Sequence, residues 1–252
     1  MARNRRQRRS KKSKGSAASL FGVFGALVVL AALIGGGAFL FLKSETQYSL
    51  NREDLCPVDG ARGTVAILLD TTDKLSDVTK SEILQKTDET LDTLPRYYRL
   101  AVYTMDENGL KKTPISSVCN PGKLEQMGQL ERDGFTANPK LIKDRYSQFS
   151  ATVKDATTQL FQQNFEAEQS PLLSSMQSLS FELPKPTSMD QQKYTAGKNK
   201  IIFVTDLMEH TETFSIYRSG VSFDQFKKSR ATEKYGKKFG DIADVNMTVN
   251  IF

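Results

Sequence analysis

Leu20 to Leu42 reads LFGVFGALVVLAALIGGGAFLFL, 23 residues without a charged side chain. As a helix this run spans roughly 35 Å at about 1.5 Å per residue, enough to cross a hydrocarbon layer of about 30 Å. The segment is therefore expected to be a single transmembrane helix. Eight cations (Arg3, Arg5, Arg6, Arg8, Arg9, Lys11, Lys12, Lys14) precede it without an acid among them, and only Lys43 comes closely after it. That asymmetry keeps the N-terminus in the cytoplasm and exports the chain beyond the helix. A cleavable signal peptide would carry a shorter apolar stretch ending in small residues. Here the run continues into Phe39-Leu40-Phe41-Leu42, the pattern of an uncleaved anchor. Beside such a helix the cationic tail sets topology and attracts anionic lipid, at about 1 kcal/mol per Lys or Arg. Nucleic-acid binding needs a similar composition but is the weaker reading there. Ala31/Gly35 and Ala32/Gly36 form small-xxx-small pairs that permit close helix pairing.

The remainder has the opposite charge balance. Without those eight cations and Lys43, the 35 Lys and Arg fall to 26 against 29 acids. The basic chain is thus a mildly acidic domain carrying a cationic tail. A single histidine (His210) and two cysteines argue against most transition-metal clusters and against a Ser-His-Asp hydrolase. The expected organisation is a basic cytoplasmic tail over 1–19, the anchor over 20–42, a polar stalk over 43–59 and one folded domain over 60–252.

Within that domain, Thr64-Val-Ala-Ile-Leu-Leu-Asp70 is a continuous apolar run ending in an acid, the signature of a central parallel strand buried on both faces. Helical spacing follows over Ser76 to Leu94 and stops before Pro95. Leu100 to Thr104 predicts a second strand, Asn108-Gly109 a turn, and Ile115 to Val118 a returning antiparallel strand. Residues 120 to 137 have the composition of loop. Asn138-Pro139 opens a long helix with Leu141, Ile142, Phe149, Val153, Ala156, Leu160 and Phe161 facing inward. Ser170-Pro171 opens another, with Leu172, Leu173, Met176 and Leu179 inward, and residues 184–198 are polar and loop-like. Lys200-Ile-Ile-Phe-Val-Thr-Asp206 repeats the grammar of the first strand, and Val245, Met247, Val249 and Ile251 alternate as a half-exposed last strand. This alternation predicts an α/β fold: a three-layer, doubly wound, mostly parallel sheet of Rossmann-like type. The sequence ends at Phe252 within the last strand, as a truncated copy of a longer protein would.

Two buried strands thus end in carboxylates, Asp70 and Asp206, and open α/β sheets bind ligands at the carboxyl ends of their strands. The loop Asp70-Thr71-Thr72-Asp73-Lys74-Leu75-Ser76 adds hydroxyls and a second carboxylate, oxygen donors of the kind hard cations prefer. On these residues the chain from about Thr64 to Phe252 resembles a von Willebrand factor A domain. That family ends its first strand in Asp-x-Ser-x-Ser, places a threonine at the start of a later helix, and ends its fourth strand in Asp. The set binds Mg²⁺ or Mn²⁺, with an acid of the partner protein completing the shell. Asp70, Thr72, Ser170 and Asp206 match four of these positions. Lys74 stands where the second serine belongs, with Ser76 as a substitute two residues on. An ammonium repels a cation, so Lys74 either leaves room for the metal or replaces it by pairing with Asp70 and Asp206.

The resemblance implies a non-enzymatic, membrane-anchored module that binds another protein, in a bacterial inner membrane with its main domain in the periplasm. Two alternatives stand beside it. One is a structural subunit of an envelope complex with a vestigial metal site. The other is a haloacid-dehalogenase-like phosphatase, for which an acid is missing at position 72 and Asp73 comes one residue late. Under A-domain topology Cys56 and Cys119 both lie at the edge opposite Asp70. In an oxidising compartment they can pair, and otherwise they remain two separate thiols. His210 is expected in an exposed loop, and Asn246-Met247-Thr248 matches a glycosylation sequon by chance within a strand.

Overall fold

The computed structural model describes residues 25, 27–37, 49–133, 138–163, 166–183 and 199–235, together with the backbone of 246–251; the side chains of 130 and 131 lie outside this set. The chain divides into two units, Met1–Gln47 and Tyr48–Phe252. In the first unit, residues 27–37 form helix α1. Its large apolar side chains Leu27, Val28, Val29, Leu30, Leu33 and Ile34 are all more than half exposed. Among the described residues, no helix is long and apolar enough to cross a membrane. The predicted span over 20–42 lies only partly within the described residues, and the cationic tail lies wholly outside them.

The second unit is an α/β fold around a six-stranded mixed sheet. Its strands are β1 (Thr64–Asp70), β2 (Arg99–Asp106), β3 (Gly109–Leu110), β4 (Ser116–Cys119), β5 (Lys200–Thr205) and β6 (Asn246–Ile251). The order is β3-β2-β1-β5-β6, with β4 also on the outer edge of β2. β1 pairs in parallel with β2 and β5, and β5 in parallel with β6. Only β3 and β4 run antiparallel to β2. Asn108-Gly109 makes the β2–β3 turn, where Gly109 takes φ +98 and the Asn108 amide donates to Asp106 Oδ1 at 2.9 Å.

The period of two in β1 distributes its side chains between two cores. Val65, Ile67 and Leu69 join Ile83 and Leu91 of α2 (Asp77–Thr93) with Phe149, Val153 and Leu160 of α4 (Pro139–Leu160). Ala66 and Leu68 join Leu172, Leu179 and Leu183 of, or just after, α5 (Leu172–Glu182). Helices therefore cover both faces of the central strands, which explains why those strands are apolar throughout. The short α3 (Gln129–Arg132) and a 3₁₀ turn (Leu124–Gln126) fall in the stretch expected as loop.

Local signals account for the helix boundaries. Ser76 caps α2 by accepting the Thr79 amide at 3.1 Å, and Asn138 caps α4 by accepting the amides of Lys140 and Leu141. Within α4 the inward face is corrected: Leu141 is 45% exposed, whereas Thr157 is buried. Its hydroxyl donates to the Val153 carbonyl at 2.9 Å, which offsets the cost of burying a polar group in the core. Among the described residues, three short helices without a signal in the sequence come after β5: α6 (Ile216–Ser219), α7 (Phe223–Lys228) and α8 (Arg230–Tyr235). Phe214, Ala231 and Tyr235 form a separate small core with Leu173, Ile216 and Phe226.

Cys56 and Cys119 form a disulfide across 63 residues, with Cα atoms 4.7 Å apart. The segment expected as a stalk contributes to the folded body here. Leu55 and Cys56 are buried, and the Cys119 amide donates to the Asp54 carbonyl at 2.8 Å.

Candidate functional site

Adjacent parallel strands β1 and β5 send their chains in opposite directions. β1 returns through α2 to β2 on one side, while β5 proceeds through α6 to α8 to β6 on the other. Such a divergence opens a crevice at the carboxyl ends of the two strands. Asp70 is the last residue of β1, and Asp206 immediately follows β5.

The structure brings both acids to one cleft of about 190 Å³, lined by Asp70, Asp73, Lys74, Leu75, Ser76, Thr79, Val204, Thr205 and Asp206. Asp73, the second carboxylate of the β1–α2 loop, lines this cleft too. Three carboxylates therefore meet one ammonium. Among the described residues no ion pair within 4.0 Å joins Lys74 to Asp70 or Asp206, although all three line the cleft.

Asp70 is held at both oxygens. Its Oδ1 accepts from the Thr72 amide at 3.1 Å and the Thr72 hydroxyl at 2.7 Å, and its Oδ2 accepts from the Thr205 hydroxyl at 2.9 Å. Thr205 in turn accepts the Leu207 amide at 3.0 Å, bracing a residue that carries φ +62. The β1–α2 loop is fixed from beneath, because the Thr71 hydroxyl donates to the Met105 carbonyl of β2 at 2.6 Å. The rim is thus positioned by rigid elements on three sides.

Asp206 is differently placed. Its Oδ1 accepts the Met208 amide at 2.8 Å. Burial raises its carboxyl above the ordinary range, the Met208 amide works against this, and the charges of Asp70 and Asp73 add to the rise. Burial, followed by the charges of Asp206, Asp73 and Asp70, also raises the hydroxyl of Tyr217, which places that ring beside the same rim.

Ser76 lines the cleft, but its oxygen serves as the α2 cap. Ser170 is absent from the cleft lining. It sits in a two-residue antiparallel bridge with His210, with reciprocal amide–carbonyl bonds of 2.8 and 2.9 Å. The Ala167 amide donates to the Thr72 carbonyl at 3.0 Å, so the segment leading to Ser170 lies against the Asp70 loop. Ser170 Oγ is buried without a hydrogen-bond partner among the described residues. It does not cap α5 as expected. That role falls to Glu209, whose Oε2 accepts the Leu173 amide at 2.8 Å.

Glu209 is 3% exposed, and burial raises its carboxyl even though the Leu173 amide pulls the other way. No sequence signal distinguishes it from a surface acid. Thr205 is equally hidden, as an ordinary strand residue. His210 is not a free loop side chain: its Nδ1 lies 2.7 Å from Ser215 Oγ and its ring meets Tyr217 edge-on. Among the described residues, no group of three or more His, Cys, Asp and Glu is arranged to hold a metal ion by itself. A cation here would depend on hydroxyl donors as well. No family model matches this sequence, and no curated protein matches it.

Proposed function

We propose that this chain is a membrane-anchored protein-interaction module of the von Willebrand factor A type, with a three-layer domain that recognises its partner through the rim around Asp70 and Asp206. The observation that carries the reading is the convergence of these two carboxylates, from adjacent parallel strands, on one cleft at the point where the chain diverges. Asp70 is anchored by Thr72 and Thr205, so the rim is a prepared surface.

The donor chemistry fits a hard divalent cation. Asp70 and Asp206 supply carboxylate oxygens at the cleft, and Thr72 a hydroxyl beside Asp70. These three would hold Mg²⁺ or Mn²⁺, and the ion would offer an open position to an acidic side chain of the partner. Ser76 is left to its helix. The role of this chain's residues is binding and orientation. Position 72 carries a threonine where phosphoryl transfer would need a general acid, which favours recognition over that chemistry.

The exposed apolar face of α1 supports an anchor in the bilayer, with the cationic tail on anionic lipid and the domain exported to the periplasm. The disulfide supports the same compartment, since such bonds persist where the environment is oxidising.

Calorimetric titration of the full chain in detergent with Mn²⁺ tests the metal. Saturable heat that disappears in Asp70→Asn/Asp206→Asn supports the site, and no heat at millimolar ion removes it. Capture of partner proteins from membranes by wild type but not by that variant supports recognition through the rim. Equal capture by both supports a structural subunit with a vestigial site. Aryl phosphate hydrolysis lost in Asp70→Asn would favour the phosphatase.

A further inference from the structure

Among the described residues, Lys74 is the one cation lining the cleft, beside Asp70, Asp73 and Asp206. The chain on either side of it is pinned. The Thr71 hydroxyl donates to the Met105 carbonyl at 2.6 Å, the Thr72 hydroxyl donates to Asp70 at 2.7 Å, and Ser76 caps α2. Lys74 therefore leaves from a fixed stretch of backbone, while the residue itself is exposed. A compact ammonium with three donors on a flexible four-carbon stem suits a group that reaches for a ligand at the mouth of a cleft.

That ammonium is not spent within the fold. Among the described residues it makes no ion pair within 4.0 Å with any carboxylate. Asp70 takes its donors from Thr72 and Thr205, and Asp206 Oδ1 accepts the Met208 amide. Neutral hydroxyls and amides thus hold the two strand-ending acids, and the Lys74 charge is left over. Charge balance gives it a purpose. With its three acids ionised and Lys74 protonated, the cleft carries three negative charges and one positive. A divalent ion held by Asp70, Asp206 and Thr72 brings the sum to zero, so an acidic group of a partner enters without net repulsion. Without the Lys74 charge the loaded cleft keeps one net negative charge and repels the same group.

We propose that Lys74 is the second anchor for the partner's acid, its ammonium donating to the carboxylate that the bound ion receives at its open position. The inference rests on the recognition reading and narrows its ligand to a side-chain carboxylate held by ion and ammonium together. It also gives Lys74 opposite effects on two ligands, since its charge repels the divalent ion and attracts the acid. A residue with a merely structural role would not move the two in opposite directions.

The full chain in detergent is loaded with Mn²⁺, and water proton relaxation reports the access of water to the ion. An aspartate capped as its N-acetyl N-methylamide is titrated in, with the equivalently capped asparagine as control. In wild type the aspartate probe lowers the relaxation saturably and the asparagine probe does not. Lys74→Met needs about ten times more aspartate probe, the loss expected for one charge-assisted hydrogen bond, yet takes up Mn²⁺ at least as tightly as wild type. Lys74→Arg retains the charge and stays close to wild type in both. Equal affinity of Lys74→Met and wild type for the aspartate probe overturns the proposal. So does weaker Mn²⁺ uptake by Lys74→Met, or equal binding of the two probes by wild type. If wild type takes up no Mn²⁺, the metal itself fails and the inference falls with it, so Mn²⁺ uptake alone separates the two failures.

Discussion

Replacing Cys56 and Cys119 with alanine removes a crosslink that closes 63 residues. In the chain-entropy treatment a loop of that length raises the free energy of the unfolded state by about 4 kcal/mol. The native state adds to the loss. Cys56 and Cys119 are 3% and 0% exposed, so each alanine leaves a small void between the incoming segment and β4. The crosslink also holds Leu55 in the core and keeps Asp54 near Arg99, 3.5 Å away. With a denaturant slope of about 2 kcal/mol per M, the urea midpoint should fall by about 2 M. For a body of this size the melting temperature should fall by roughly 10 °C. The assay is urea unfolding of the full chain in detergent, followed by circular dichroism because the sequence contains no tryptophan. Limited proteolysis should find new cleavage in residues 49–59 of the variant. Coincident midpoints for variant and wild type, or labelling of native unreduced protein by a thiol reagent, would refute the reasoning.

Thr205→Val keeps the shape of a 4% exposed residue while deleting a donor to Asp70 and an acceptor for the Leu207 amide. Losing a hydrogen bond to a charged group costs about 1.5–3 kcal/mol, read as a lower urea midpoint; an unchanged midpoint would show that Asp70 does not need this brace. Glu209 titrates in the fold above its ordinary value, chiefly because it is buried. A group raised in this way contributes stability that is complete below its unfolded value and is lost as pH rises through the folded one. Glu209→Gln keeps an acceptor for the Leu173 amide and lacks the titration. Stability of wild type relative to this variant should therefore decline as pH rises through that window, and parallel pH profiles would contradict the assignment.

Much of the fold is legible in the sequence because its signals are dense and local. Val65 to Leu69 and Ile201 to Val204 are apolar at every position, which only a doubly covered strand requires. Asn138-Pro139 marks the start of α4 because capping and proline act within one turn. The features that escape depend on contacts distant in sequence, or on elements too short to show a period. Thr157 and Ser175 are buried because the Val153 and Pro171 carbonyls satisfy their hydroxyls, a pairing hydropathy does not register. α6, α7 and α8 have four or six residues each, so no helical stripe can develop. At the site, the two strand-ending acids are readable. Thr205 as the brace of Asp70 and Glu209 as the α5 cap are not, since both roles arise from tertiary placement.

Asp70 and Asp206 must share one rim for recognition at this face to hold. Carbon-detected NMR titration of the Asp206 carboxyl, in wild type and in Asp70→Asn, tests that placement directly. Burial and the nearby charges of Asp70 and Asp73 predict a midpoint above the ordinary aspartate range, falling when Asp70 becomes neutral. An Asp206 midpoint in the ordinary range, or one unmoved by Asp70→Asn, would contradict it.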